Sequence, residues 1–276
     1  MNETSNKPPI MKPKAYKSAI SPIWCPGCGH YSVLNAITKA LSALQQQPED
    51  CVLVSGIGCS SRLPAYVHSY GFHGVHGRAL PVATGLKVSR PELNVIAMGG
   101  DGDGFSIGGN HFLHACRRNA DIVYIAMDNE VYGMTKGQAS PTTPESWERG
   151  KLTPHGTEMR PFQPCSIALA SGASFIARGH SGDPNGLAKM IYEAIQHRGF
   201  AFVHVLSQCI TFCPEQADWK DQVHDESVTS DNPMEVAAFL QDEDGLSKGI
   251  FYRNPREVWP PQHEPDHRDI REGFAL

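Results

Sequence analysis

Asn94-Val-Ile-Ala-Met98 is an apolar run, and it is followed directly by the glycine-rich segment Gly99-Gly-Asp-Gly-Asp-Gly104. This order of residues is the strongest indication of the fold. A short apolar run that ends in glycines is typical of a buried strand followed by a tight turn. The segment has no G-x-G-x-x-G register, and the chain has no Gly-Lys-Ser/Thr phosphate loop. Glycines nevertheless let backbone amides approach an anion closely, and the Asp101 carboxylate suits a hard cation.

The same pattern recurs on both sides of this segment. Buried-strand signals run over 51–55, 94–98, 122–127, 174–177 and 200–206, and helical signals run over 32–44, 79–88, 109–118, 166–171 and 184–199. Strands that alternate with helices predict one α/β domain with a mainly parallel sheet flanked by helices. Ligands of such sheets bind beyond the carboxyl ends of the strands. We therefore expect the site in the strand-end segments 56–61, 99–104, 128–137 and 207–213.

The predicted domain occupies residues 25–213. Residues 1–24 predict an irregular, extended N-terminal arm, because prolines interrupt them at Pro8, Pro9, Pro13 and Pro22. Residues 214–276 are polar, acidic and rich in proline. They predict an irregular C-terminal extension with one short helical signal at 233–240.

Composition excludes several classes of protein. Of 276 residues, 40% are hydrophobic and 19% charged, which is ordinary for a soluble globular chain. The formal net charge of −5 has the wrong sign for nucleic-acid binding through a global basic field. No apolar run approaches the ~18 residues of a membrane span, and the N-terminus lacks the apolar region of a signal peptide. The sequence therefore predicts a cytoplasmic protein that binds neither nucleic acid nor membrane.

A candidate metal site involves two consecutive strand ends. The strand after Asp101 ends in Asp128-Asn129, which places Asn129 28 positions further along the chain. A carboxylate, an amide oxygen and a backbone carbonyl, completed by a diphosphate and water, would make an octahedral Mg²⁺ site. A lone Gly-Asp-Gly is more typical of a tight turn with a solvated aspartate, but the second strand end favours the metal site.

The chain contains eight cysteines, an unusual number for this class. Cys25 and Cys28 form a C-x2-C pair, and Cys59 and Cys209 lie on predicted strand-end loops, so four thiolates could converge. From spacing alone, an iron–sulfur cluster, a zinc site and a thiol redox pair all stay open. The cysteines on strand or helix signals are predicted to be buried apolar residues; these are Cys51, Cys116 and Cys165.

Several ordered motifs resemble one family. Gly100-Asp-Gly102, followed about thirty residues later by Asn129, is similar to the thiamine diphosphate motif. The accompanying motifs are Trp24-Cys-Pro-Gly-Cys-Gly29, Gly56-Ile-Gly-Cys-Ser-Ser61, His76-Gly-Arg-Ala79, Ile107-Gly-Gly-Asn-His111 and Tyr132-Gly-Met-Thr-Lys-Gly-Gln138. Over roughly residues 20–213 the chain resembles the β subunit of 2-oxoacid:ferredoxin oxidoreductases. Within that family it is most similar to 2-oxoglutarate:ferredoxin oxidoreductase.

The resemblance implies a thiamine diphosphate-binding (pyrophosphate-type) module, with thiamine diphosphate and Mg²⁺ as cofactors. Asp101 and Asn129 would be side-chain ligands of Mg²⁺, and Val131 would provide its carbonyl. The implied cofactor-binding positions are Gly58, Cys59, Ser60, His76, Gly77, Gly100, Asp101, Gly102, Asp103, Asn129, Val131, Tyr132, Gly133, Met134 and Thr135.

The resemblance also implies one [4Fe–4S] cluster, ligated by Cys25, Cys28, Cys59 and Cys209. Cys213 lies four residues after Cys209 and stays an alternative ligand. Cys209 is the preferred choice because it follows the predicted strand directly.

The implied reaction is the oxidative decarboxylation of 2-oxoglutarate with coenzyme A and ferredoxin to succinyl-CoA, CO₂ and reduced ferredoxin, or its reductive reverse. No pyrimidine-binding module is visible in the sequence. The glutamate that contacts the aminopyrimidine would therefore come from an α subunit, in an (αβ)₂ assembly. Pyruvate or another 2-oxoacid stays open as the substrate, and so does a non-catalytic iron–sulfur or zinc electron-transfer subunit.

Three further positions are candidates for catalysis. Arg62, three residues after Cys59, suits a second substrate carboxylate through two parallel hydrogen bonds. Lys136 would add positive charge near the substrate or coenzyme A. A solvated surface cation is the alternative for each of these two side chains. His76 belongs to the cofactor wall by the same resemblance.

Overall fold

The computed structural model describes residues 10–148, 153–226 and 228–260. Within these residues, the strands of the main sheet are β1 Cys51–Ser55, β2 Tyr70–His73, β3 Asn94–Gly100, β4 Val123–Asp128, β7 Phe175–His180, β8 Ala201–Leu206, β9 His224–Asp225 and β10 Ser247–Arg253. They are ordered β2-β1-β3-β4-β8-β7-β10-β9. A separate hairpin pairs β5 Val131–Tyr132 with β6 Gln138–Ala139.

The α-helices of the described residues are α1 His30–Leu44, α2 Ala79–Ser89, α3 Gly109–Arg118, α4 Pro164–Ala170, α5 Pro184–Gln196, α6 Trp219–Gln222 and α7 Pro233–Asp242. Helix α5 begins with a side-chain cap, since Asp183 Oδ1 accepts a hydrogen bond from Gly186 N at 2.9 Å. In the part of the chain that the structure describes, no helix combines the length and the apolar character needed to cross a membrane.

The central strands of the sheet, β1, β3, β4, β8 and β7, are buried on both faces. Successive side chains of a strand point to opposite faces, so Leu53 packs in one hydrophobic cluster while Val52 and Val54 pack in the other. Helices α1 and α5 cover the first face, and α2, α3, α4 and α7 cover the second. Burial on both faces explains why the strands read as continuous apolar runs in the sequence.

Parallel pairing brings the strand ends to one edge. Strands β2, β1, β3, β4, β8 and β7 are all parallel to their neighbours, and β10 lies antiparallel to β7. The prediction of a mainly parallel sheet flanked by helices is therefore confirmed. The carboxyl ends of β1, β3, β4 and β8 carry the segments in which we expected the site.

The structure corrects the predicted C-terminal extension. Residues 247–253 are not irregular, because they form β10 along β7, and Phe251 within β10 is fully buried. The pairing joins segments some seventy residues apart, which a local pattern does not reveal. The helical signal at 233–240 is confirmed as α7. Residues 261–276 lie outside the described residues, and separate folding of 25–213 stays a prediction.

The described part of the N-terminal arm, residues 10–24, is irregular as predicted, apart from a 3₁₀ turn at Pro13–Tyr16. Tyr16 is buried, and its hydroxyl donates a hydrogen bond to the Gln46 carbonyl at 2.9 Å. The described part of the arm is thus anchored beside the C-terminal end of α1. Pro8 and Pro9 lie outside the described residues.

Candidate active site

The carboxyl ends of β1, β3 and β4 surround a cavity of about 270 Å³. The predicted cofactor positions in its wall are Gly58, Cys59, Ser60, His76, Gly100, Asp101, Gly102, Asp103, Asn129, Val131, Tyr132, Gly133, Met134 and Thr135. Gly77 lies behind the wall, where its amide bonds to Asp103. Sequence reasoning missed three further wall residues, His30, Ile57 and Met127, because they belong to apolar or helical patterns.

Asp101 follows β3 directly and is buried. Its Oδ2 lies 3.1 Å from the Thr142 hydroxyl, whose single proton is shared with Asp128 Oδ1 at 2.7 Å. Burial, together with the negative charge of Asp128, raises the pKa of Asp101 to about 7. A cation beside these carboxylates would offset their repulsion, so Asp101 has the chemistry of a ligand for a hard metal ion.

The turn after β4 directs Asn129 and Val131 to the same cavity. Asp128 Oδ1 accepts a hydrogen bond from Glu130 N at 2.9 Å, and Asn129 Oδ1 accepts one from Val131 N at 3.3 Å. Glu130 has a left-handed φ of 58°, which reverses the chain between these residues. Local hydrogen bonds therefore hold the turn, and both predicted Mg²⁺-binding positions reach the cavity that Asp101 lines.

Asp103 connects two loops of the cavity wall. Its Oδ1 accepts hydrogen bonds from Ile57 N and Gly77 N, each at 2.8 Å, and lies 2.9 Å from His76 Nδ1. The loop after β1 is thereby joined to the segment before α2. Asp103 and His76 both reach the wall as expected, but this carboxylate is already occupied by donors of the protein itself.

Two glycines are required by close packing. A Cβ at Gly56 would lie 2.1 Å from Asp103 Oδ2, and a Cβ at Gly102 would lie 2.1 Å from the Tyr132 ring. The Tyr132 hydroxyl also donates to the Gly102 carbonyl at 3.4 Å. The glycines therefore allow the loops to pack tightly around the cavity.

Ser60 presents an unsatisfied polar group. Its hydroxyl is buried and has no hydrogen-bond partner among the described residues, although Ser60 lines the cavity. A buried hydroxyl without a partner is destabilising by about 1–3 kcal/mol. An anionic ligand in the cavity would give this hydroxyl an acceptor.

The four candidate thiols interact electrostatically with one another, and Cys59 among them lines this cavity. Burial raises the pKa of Cys28 to about 12, and negative charge at Cys209, Cys59 and Cys25 raises it as well. The pKa of Cys59 is raised by burial and then by Cys209 and Cys25. Mutual repulsion of this kind is what a bound iron centre relieves. Within the described ranges, no three His, Cys, Asp or Glu side chains are arranged around a single metal ion.

The other cysteines occupy different surroundings. Cys213 is buried in a small apolar cluster with Val131 and Trp147. The prediction that the remaining three are buried is confirmed, with exposures of 1%, 0% and 1% at Cys51, Cys116 and Cys165. None of the eight cysteines forms a disulfide.

A second cavity of about 380 Å³ adjoins the first, and both are lined by Ile57, Gly58 and Met134. Arg62 and His73 line this second cavity. The His73 Nδ1–H donates to the Ser61 carbonyl at 2.8 Å, so Nε2 is the ring nitrogen left for another contact. Lys136 is exposed and lines neither cavity.

Sequence reasoning also missed a row of buried polar side chains behind the metal-binding positions. It begins at Thr142, which bonds to both Asp101 and Asp128, and continues through His204 and Arg178. Thr142 belongs to a loop rich in Gly, Pro and Thr, while His204 and Arg178 interrupt apolar strands. The sequence signal for this row was the presence of His204 and Arg178, two polar residue types, within apolar strand patterns.

Family comparison agrees with the position of the cavity. The model of the family described as "Thiamine pyrophosphate enzyme, C-terminal TPP binding domain" matches residues 56–205. This match includes the ends of β1, β3 and β4, which surround the cavity.

Two curated relatives are similar over most of the chain. The 2-oxoglutarate oxidoreductase subunit KorB of Mycobacterium tuberculosis is 46% identical over 209 residues, which cover 76% of this chain. The alignment spans about 55% of that longer protein. The 2-oxoglutarate synthase subunit KorB of Methanocaldococcus jannaschii is 46% identical over 190 residues, 69% of this chain and 70% of that protein.

A solved structure has the same fold. It is 2-oxoglutarate:ferredoxin oxidoreductase from Magnetococcus marinus with 2-oxoglutarate, coenzyme A and succinyl-CoA bound. The superposition has a TM-score of 0.86 and 40% sequence identity, and it covers 90% of this chain and 87% of that chain.

Proposed function

The chain belongs to the β subunits of the thiamine diphosphate-dependent 2-oxoacid:ferredoxin oxidoreductases, and on that premise we propose its reaction. With an α subunit it converts 2-oxoglutarate, coenzyme A and oxidised ferredoxin to succinyl-CoA, CO₂ and reduced ferredoxin, or catalyses the reverse. Two electrons leave the substrate, and each passes singly to ferredoxin. The carrying observation is the cavity at the strand ends, which is lined by Asp101, Asn129 and Cys59. Cys59 also interacts electrostatically with the other three candidate cysteines.

The residues around the cavity fit thiamine diphosphate and Mg²⁺. Asp101, Asn129 and the Val131 carbonyl are the proposed Mg²⁺ ligands. The unpartnered Ser60 hydroxyl and the amides of the glycine-rich loop suit the diphosphate. When bound, thiamine diphosphate supplies the carbanion stabilisation that decarboxylation of a 2-oxoacid requires. This chain binds and orients the cofactor, and its Asp103 bonds keep the surrounding loops closed.

The four thiols are the proposed ligands of a [4Fe–4S] cluster. Cys25, Cys28, Cys59 and Cys209 interact with one another electrostatically, which supports a common centre. In such a cluster each thiolate binds a different iron atom, so the ligands surround a space larger than one ion needs. Cys209 also contacts the apolar cluster that contains Cys213, but it is half-buried and interacts electrostatically with the other three thiols, which supports it as the fourth ligand.

We propose that the second cavity binds the distal carboxylate of 2-oxoglutarate. Arg62 and His73 both line it, and it opens next to the thiamine diphosphate cavity. A guanidinium binds a carboxylate through two parallel hydrogen bonds, so Arg62 is the proposed contact of this carboxylate. Lys136 lies on the loop after β5, where its charge favours anionic substrate or coenzyme A.

Partners and location are part of the same proposal. The glutamate that contacts the aminopyrimidine comes from the α subunit, in an (αβ)₂ assembly, and ferredoxin takes the electrons. The cytoplasm is the proposed compartment, because the free thiols at the candidate site persist in reducing surroundings.

The test is anaerobic co-purification with the α subunit, followed by assays of CO₂ release from a panel of 2-oxoacids with coenzyme A and a viologen acceptor. We expect a brown complex that absorbs near ~400 nm and oxidises 2-oxoglutarate in preference to pyruvate. A colourless zinc-containing complex, or no CO₂ from any 2-oxoacid, would contradict the proposal.

Substrate choice is tested with Arg62→Ala. Loss of a charge-assisted bidentate contact of about 1.5–3 kcal/mol should raise KM for 2-oxoglutarate about 10- to 100-fold, with little change for pyruvate. Arg90→Ala, which removes an exposed arginine distant from both cavities, is the matched control. Equal changes in KM for both substrates would show that Arg62 does not select the second carboxylate.

A further inference from the structure

A continuous row of hydrogen bonds connects the C-terminal extension to the candidate metal site. Glu243 binds Arg178 with both oxygens, at 2.8 and 2.9 Å, and Arg178 Nε lies 3.2 Å from His204 Nδ1. His204 Nε2 is 2.8 Å from Asp128 Oδ2. The Thr142 hydroxyl lies 2.7 Å from Asp128 Oδ1 and 3.1 Å from Asp101 Oδ2. The row therefore ends at a proposed Mg²⁺ ligand.

Donor and acceptor roles along the row are set by chemistry. Arg178 can only donate, so the His204 Nδ1 that it contacts is the acceptor. The ring proton of His204 is then on Nε2, which donates to Asp128. Arg178 is in turn held by Glu243 and by the Ser247 carbonyl at 3.2 Å. Each side chain is thus oriented by the next one outward.

Asp128 is the branching point of the row. One of its oxygens bonds to His204, and the other accepts from both Thr142 and Glu130 N. Because both of its oxygens already accept hydrogen bonds from the protein, Asp128 is less suited than Asp101 to bind the metal directly. It instead supports both metal-binding segments, because the Glu130 bond fixes the turn at Asn129 and the Thr142 bond reaches Asp101.

The row is almost completely buried. Arg178 and Asp128 are each 2% exposed, His204 is 4% and Thr142 is 6% exposed. Burying a polar group is unfavourable unless its hydrogen bonds are made. A buried network in which every hydrogen bond is made holds its side chains in one geometry. A purely structural purpose would not require the row to end on the Asp101 carboxylate.

We propose that Thr142 and Asp128 are positioning residues for the Mg²⁺ ligands, and that Glu243 of the C-terminal extension orients them through Arg178 and His204. The inference rests on the proposed metal site. It also assigns residues 243–247 a purpose in the active site. Removing a side chain that hydrogen-bonds to a metal ligand typically lowers metal affinity by about 10- to 100-fold.

The main test is Thr142→Val in the αβ complex, which removes the hydroxyl and preserves the shape of the side chain. Mn²⁺ is the probe, and its affinity is measured by electron paramagnetic resonance with thiamine diphosphate present and without substrate. We expect Kd for Mn²⁺ to rise about 10-fold and Thr142→Ser to restore it. Thr38→Val removes a buried hydroxyl in α1 and is the matched control.

Glu243→Gln tests the far end of the row and covers the case in which Thr142→Val does not fold. It should weaken Mn²⁺ binding in the same direction, while Glu235→Gln in α7 should leave Kd unchanged. Wild-type Kd in either Thr142→Val or Glu243→Gln would overturn the inference. Absence of Mn²⁺ binding in the wild-type complex would instead overturn the proposed metal site on which it rests.

Discussion

The two edges of the sheet both carry buried polar side chains, but Asn119 at one edge and Ser60 and Asp101 at the other differ in how far the protein satisfies them. At the amino edge, Asn119 Oδ1 accepts from Ser174 Oγ and Phe200 N, and its Nδ2 donates to the carbonyls of Arg256 and Glu257. At the carboxyl edge, the Ser60 hydroxyl has no partner among the described residues. The Asp101 carboxylate lies there beside Asp128, which raises its pKa.

The difference separates polar groups whose hydrogen bonds are completed within the protein from polar groups for which we propose a ligand. Asn119 uses its full hydrogen-bonding capacity within the protein, so it has nothing to offer a ligand. Asp101 and Ser60 are held in an environment that is unfavourable for them in the protein alone. Substitutions at the two edges should therefore affect different properties, stability at the amino edge and ligand binding at the carboxyl edge.

The largest expected effect concerns the thiols at the carboxyl edge. Cys209→Ser should remove most of the iron and the absorbance near ~400 nm from the anaerobically purified complex, because a cluster then loses one of its ligands. Cys213→Ser, four residues away, should retain both, since Cys213 packs in an apolar cluster. The measurement is iron content and absorbance per complex. Loss of iron in Cys213→Ser, with iron retained in Cys209→Ser, would show that Cys213 is the ligand.

Asp101→Asn should abolish most activity without destabilising the fold. We expect turnover to fall by a thousandfold or more, equivalent to about 4 kcal/mol, because the proposed metal loses its anionic ligand. Thermal stability of the isolated β subunit should stay equal or rise, since the repulsion between Asp101 and Asp128 is removed. Turnover is measured on the αβ complex, and thermal unfolding on the isolated β subunit of the same variant. A marked loss of thermal stability in Asp101→Asn would instead show that Asp101 stabilises the fold, as Asn119 does.

Asn119→Ala should show the converse behaviour. Loss of four side-chain hydrogen bonds should lower the free energy of unfolding by about 2–4 kcal/mol, while turnover per folded complex is unchanged. Asn119 also has a left-handed φ of 54°, so Asn119→Gly separates backbone strain from the lost bonds. The free energies of unfolding of wild type and both variants are compared by denaturant unfolding. An alanine variant as stable as wild type would refute the structural assignment of this edge.

The smallest effect is a pH dependence at the amino edge. Burial and the Arg253 charge lower the pKa of His197 to about 4, and its Nε2 lies 2.7 Å from Ser174 Oγ. Above the unfolded pKa of about 6.5 both states are neutral, and no dependence arises. As pH falls from there towards 4, the unfolded state binds the proton first, so stability should decrease by at most ~1.4 kcal/mol per pH unit.

His197→Gln is the variant that checks this pH dependence. It should flatten the stability profile between pH 6.5 and 4, as measured by denaturant unfolding in matched buffers, and change it little at pH 7. A profile that stays as steep as wild type would show that another group is responsible.

The strands and helices of residues 30–206 were predictable because their apolar patterns are long and regular. Strand β1 and helix α3 have the predicted bounds. Strand β2 was missed because Tyr70 and Phe72 alternate with polar or small residues and all four of its residues are exposed. Strand β10 was missed because its partner β7 is distant in the sequence.

The candidate site was predictable where its residues follow strand ends. Asp101, Asn129 and Cys59 were identified because parallel topology brings such segments together. The engagement of Asp103 by Ile57, His76 and Gly77 was not predicted, since the same glycine-rich turn is compatible with either orientation of that carboxylate.

Local residue patterns therefore predicted the α/β class and the edge of the sheet that carries the candidate site, and ordered motifs indicated the resemblance to the family. Which polar groups complete their hydrogen bonds within the protein, and which do not, depends on the tertiary structure. The tertiary structure also decided that Glu243 is connected to Asp101. These outcomes depend on hydrogen-bond partners tens to more than a hundred positions apart, and such partners are chosen by the packing of the sheet and its helices rather than by neighbours in the sequence.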